Sequence, residues 1–196
     1  MTLHDPCRAA LPALHVLTLP GWQGSGPRHW QSRWEALYGD TRVEQSDWMH
    51  PLRGDWMMRL DEVIGAIVDA SAQVPAIALV AHSLGCQLVA AWAAHSRKTA
   101  FVRAALLVAP PDVERVEFRA ALHSFAPIAR QALPFPSLAI ISSNDPYCHP
   151  HRAHAMARDW GSRTIDAVNR GHLNADSGLG DWSVGRGLLA DLLASR

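Results

Sequence analysis

The sequence predicts an α/β three-layer sandwich, with a mostly parallel six-stranded sheet carrying helices on both faces. Three observations point there. Short apolar, β-branched runs alternate with longer segments of helical periodicity. Runs such as Ile77-Ala78-Leu79-Val80 are apolar at successive positions, as strands covered from above and below must be. The segments joining the runs exceed hairpin length, so the strands run parallel.

Taken in order, the strands are expected at His15–Leu19, Arg42–Gln45, Ile77–Ala81, Ala104–Val108, Leu138–Ser142 and Thr164–Ala167. The helices are expected between and after them, at His29–Tyr38, Trp56–Ala70, Leu84–His95, Val116–Phe125, His151–Trp160 and Val184–Leu193. Trp30, Trp34 and Trp56 fall on these helical segments and are read as packing residues. The 196 residues suit one domain over 1–196, with residues 1–13 as a loosely ordered N-terminal extension.

Composition narrows the functional classes. With 48% apolar and 18% charged residues the chain can build its own core. Its formal net charge of zero disfavours nucleic-acid binding, which needs a basic surplus. Cys7, Cys86 and Cys148 form no CxxC pair, so neither a disulfide framework nor a zinc knuckle is expected, and a cytoplasmic setting fits. No apolar run approaches the roughly 18 residues of a membrane span. His149, His151 and His154 lack a third ligand at workable spacing, so no metal is expected.

In open parallel sheets ligands bind beyond the carboxyl ends of the strands. There the sequence Ala81-His82-Ser83-Leu84-Gly85 joins a buried strand to a helix. Small residues two places before and after Ser83 permit the tight turn that lifts its hydroxyl clear of the sheet. A serine needs a base and an orienting acid, which follow it in the chain order Ser, Asp, His. His172 after the last strand is the candidate base, and Asp145 after the fifth the candidate acid. Asp112, after the fourth strand, is a rival acid. The backbone N–H groups of Leu84 and Trp22 are the candidate oxyanion donors. Gly21, Trp48 and His82 are candidate pocket residues. Gly21, Gly24 and Gly26 do not match a dinucleotide fingerprint, and no organic cofactor is expected.

From about Val16 onward the chain resembles the small serine hydrolases of the retinoblastoma-binding-protein-nine type, compact capless α/β-hydrolases. The resemblance is carried by the opening strand and glycine loop, His29-Trp30, Ser46-Asp47-Trp48 with Trp56, His82-Ser83-Leu84-Gly85, Ser143-Asn144-Asp145-Pro146 and Gly171-His172. Many relatives have His-Gly where this chain has Pro20-Gly21, and Gly where it has Ala81. The resemblance implies Ser83, Asp145 and His172 as the triad, which decides against Asp112. It implies the reaction type, a serine hydrolase mechanism, and not the substrate; the triad itself leads us to expect hydrolysis of small carboxylic esters, thioesters or activated amides through an acyl-enzyme. The expected protein is a monomer or weak homodimer acting on a small molecule, in an open cleft without a lid. The alternative is a protein-interaction module on the same fold with little turnover.

Overall fold

The computed structural model describes residues 13–195. The expected N-terminal extension and Cys7 therefore lie outside the described residues, apart from Ala13. Six strands form one sheet: β1 (Leu14–Leu19), β2 (Thr41–Arg42), β3 (Ala76–His82), β4 (Val102–Val108), β5 (Ser137–Ile141) and β6 (Arg163–Asp166), in the spatial order β2-β1-β3-β4-β5-β6. Every neighbouring pair is parallel. The strand order reverses direction beside β1, and β3 lies in the centre of the sheet.

Strand alternation sorts the apolar residues onto two faces. Leu17, Leu19, Ile77, Leu79, Ala81, Ala105, Leu107, Ala139 and Ile141 share one core with α2 (Arg53–Ala70), α3 (Leu84–Ala93) and α5 (Pro150–Asp159). The intervening Val16, Ala78, Val80, Ala104, Leu106, Val108, Leu138 and Ile140 share the other with α1 (Trp30–Tyr38) and α6 (Ser183–Ala194). The central strands are apolar at both parities for this reason. Trp30, Trp34 and Trp56 are fully buried packing residues, as expected.

Three expected elements differ from those observed. The second strand is confined to Thr41–Arg42. Val43 still donates to Thr18 O, but the chain then leaves the sheet for a turn in which Asp47 Oδ1 accepts from Met49 N and His50 N. The second helix begins at Arg53 rather than Trp56. Arg53 N donates to Ser124 Oγ, an acceptor far along the chain that local pattern does not reveal. The helix expected at Val116–Phe125 is instead a 3₁₀ turn (Val116–Phe118), a single α turn, α4 (Arg119–Leu122), and a second 3₁₀ turn (His123–Phe125). Its buried residues Leu122 and Phe125 are three apart, the spacing that 3₁₀ geometry stacks on one side. The other boundaries lie within two residues of expectation.

Candidate active site

A tight turn joins β3 to α3 at Ser83, whose φ of 54° and ψ of −123° are costly for a residue with a side chain. Its neighbours hold the turn in place. Ser83 N donates to Val108 O at 2.9 Å, tying the turn to β4. At Gly85 a Cβ would stand 2.2 Å from Leu19 O, so α3 can approach β1 only through a glycine. At Gly21 a Cβ would stand 2.6 Å from Ser83 Cβ, so the loop after β1 passes over the serine on the same terms. Cys86 is packed beneath the turn, its thiol donating to Val108 O at 3.4 Å, and burial raises its pKa.

Ser83 Oγ lies 2.8 Å from His172 Nε2. His172 Nδ1 lies 2.9 Å and 3.0 Å from the two carboxylate oxygens of Asp145. A carboxylate accepts only, so the proton of the neutral ring sits on Nδ1, and Nε2 is left to accept from the serine hydroxyl. Asp145 and His172 are both largely removed from water. Asp145 also accepts from Tyr147 N at 2.9 Å, and the Tyr147 ring leans over His172 with centroids 4.4 Å apart.

The loops bearing the acid and the base are sewn together. Asn144 Oδ1 accepts from Gly171 N at 2.7 Å and from Ser142 Oγ at 3.0 Å. Ser142 Oγ in turn accepts from Arg170 N. The carbonyl of His172 accepts from His82 Nε2 at 2.8 Å, and that of Leu173 from the Trp30 indole at 2.8 Å. The imidazole thus has an anchor on each side.

Asp112 is placed elsewhere. Its carboxylate pairs with Arg152 at 2.8 Å and 3.0 Å and caps Glu114 N, beside the further pair of Arg152 with Glu114. The arginine holds its carboxyl below the usual range against the opposing effect of burial. It makes no bond to His172.

A cavity of about 300 Å³ opens on Ser83, bounded by Gly21, Trp22, His29, His82, Leu84 and His172 among others. The N–H groups of Leu84 and Trp22 have no protein acceptor among the described residues, and both residues line this space. Leu84 opens α3, where the first N–H groups of a helix are without intrahelical partners. Pro111, Phe118 and Leu122, from the segment between β4 and β5, make one wall where the sequence suggested an open cleft.

A family model described as serine hydrolase matches residues 16–191. The chain belongs to the serine hydrolase family. Among solved structures, this serine hydrolase is similar to a protein described as a YdeN-like hydrolase from Pectobacterium atrosepticum, with 27% identity and a TM-score of 0.78, over 93% of this chain and 91% of that one. It shares its fold with the ydeN gene product of B. subtilis (15% identity, TM-score 0.68, 93% and 100% covered). It also shares it with the esterase domain of a Rhodothermus marinus protein (15% identity, TM-score 0.63, 95% and 89% covered). No curated protein matches the chain.

Of the pocket residues expected in this serine hydrolase, Gly21 and His82 line the cavity, as does the oxyanion candidate Trp22. Trp48 does not. Its ring packs against Trp56 at 5.3 Å and under Gly24, and its carbonyl accepts from Gln23 N at 3.0 Å. It supports the glycine loop from behind. His29, Phe118, Tyr147 and Asn174 line the cavity without having been singled out as pocket residues in sequence. For Tyr147 a signal existed, since it follows Asp145-Pro146 directly; Phe118 sits in a segment whose conformation local pattern misjudged.

Proposed function

We propose that this chain hydrolyses small carboxylic esters through an acyl-enzyme on Ser83, as a member of the retinoblastoma-binding-protein-nine type subgroup. The supporting observation is the unbroken run of hydrogen bonds from Ser83 Oγ through His172 to Asp145 at the carboxyl end of the sheet. Ser83 Oγ attacks the ester carbonyl carbon while its proton passes to His172 Nε2. The N–H groups of Leu84 and Trp22 receive the charge that develops on the carbonyl oxygen. Asp145 holds the ring and stabilises the imidazolium. Collapse of the tetrahedral adduct breaks the bond to the alcohol, which leaves with the proton from Nε2. A water then gives its proton to Nε2 as it attacks the acyl carbon, and the acid departs as Ser83 recovers its hydrogen. Thioesters and activated amides suit the same groups.

Fluorophosphonate labelling tests the reading. The protein should label at neutral pH, Ser83→Ala should not, and Asp112→Asn should label like the parent. Absence of labelling in folded protein would overturn the enzymatic reading in favour of an interaction module.

A further inference from the structure

Three imidazoles stand in a row along the cavity. The ring centroids of His172 and His82 are 4.9 Å apart, and those of His82 and His29 are 4.6 Å apart. The proposed reaction uses only the first. The bonds of the other two define where their protons sit. His82 Nε2 meets the carbonyl oxygen of His172, which can only accept, so Nε2 carries the proton and Nδ1 is a bare acceptor. His29 Nδ1 accepts from Gln31 N at 3.2 Å, so in the neutral ring the proton lies on Nε2.

That second proton has nowhere to go. His29 is 4% exposed, it lines the cavity, and its Nε2 has no hydrogen-bond partner among the described residues. His82 Nδ1 makes no hydrogen bond among them either. Burial, reinforced by His172 and then Arg42, lowers the pKa of His29 to about 4. Burial, with His172 and His29 beside it, takes His82 well below the ordinary histidine range. Both rings are therefore neutral at neutral pH. A buried donor without an acceptor costs about 1–3 kcal/mol, which a ligand oxygen placed against it would recover. None of the lining residues is Asp, Glu, Lys or Arg, so a charged substituent would lose its water without gaining a counter-charge.

We propose that His29 Nε2–H and His82 Nδ1 form a hydrogen-bonding subsite for an uncharged hydroxyl substituent on the ester. The hydroxyl oxygen accepts from His29, and its hydrogen is donated to His82. The inference rests on the ester-hydrolase reading and names the substrate feature that the same cleft selects. It makes His29 a binding residue with no part in the bond-breaking steps.

The test compares isosteric ester pairs in which a terminal methyl becomes a hydroxyl. On the alcohol side these are propyl acetate and 2-hydroxyethyl acetate; on the acyl side, ethyl butyrate and ethyl 3-hydroxypropanoate. Each kcat/KM is divided by the ester's hydroxide-catalysed rate, and fluorophosphonate titration counts the competent enzyme. The variant His29→Asn keeps an N-cap acceptor for Gln31 N while withdrawing the imidazole N–H from the cavity. We expect a hydroxyl preference of roughly tenfold in one pair, which also identifies the side of the ester engaged, and its collapse toward unity in His29→Asn. A ratio that the variant leaves unchanged in both pairs, at equal competent fraction, overturns the subsite alone. Loss of labelling and turnover in the parent would remove the ester-hydrolase reading and the subsite with it.

Discussion

Ser83 shows how much a single residue can announce in sequence. Its short motif is dense in local constraints, because the turn needs small neighbours on both sides and a strand and a helix at its ends. Gly85 and Gly21 are small for measurable reasons, and substitution at each should fail differently. Gly85→Ala drives a Cβ into the backbone of β1 at Leu19 and should cost about 3 kcal/mol or more, read from the urea midpoint. Gly21→Ala meets the Ser83 side chain instead, and should slow fluorophosphonate labelling about 100-fold through displacement of the serine. The choice between Asp112 and Asp145 was not legible from spacing, since both follow strands and precede His172. What separates them in space is Arg152, which occupies one carboxylate and leaves the other to the imidazole. Asp112→Asn should consequently cost stability, roughly 2 kcal/mol from the broken pair, without loss of labelling.

Among the elements, the regular strands and helices were readable because their apolar periods are long, while the connections were set by partners distant in sequence. Arg53 N, at the start of α2, finds its acceptor 71 positions away on Ser124, although the turn that follows β2 is closed locally by Asp47. Trp48 looked like a pocket residue because it follows a strand, yet Trp56 draws its ring behind the glycine loop. The pairing of the acid and base loops was likewise hidden. Asn144 is the stitch between them, a positioning residue that holds Gly171 N and thereby the approach to His172. Asn144→Ala should lower kcat roughly tenfold with KM unchanged, because the ring is misplaced while the cavity keeps its shape. Asn144→Asp, which retains the acceptor, should recover much of that loss.

For the molecule as a whole, burial of neutral imidazoles couples folding to pH. His29 titrates near 6.5 when unfolded and near 4 when folded, so protons bind the unfolded chain first as the pH falls. The contribution of this residue, on the order of 3 kcal/mol, should be lost between pH 6.5 and about 4, below which depressed carboxylates such as Asp112 carry the decline further. His82, depressed in the same direction, steepens the slope. Urea melts across that window check the sign, and His29→Asn should flatten the curve.

The uncharged lining of the cleft bears on speed as well as on selection. No Asp, Glu, Lys or Arg lines the mouth, and a neutral ester carries no net charge on which a distant field could pull. Encounter with a neutral ester is then governed by diffusion and orientation alone, and turnover at low substrate should hold steady as ionic strength is raised.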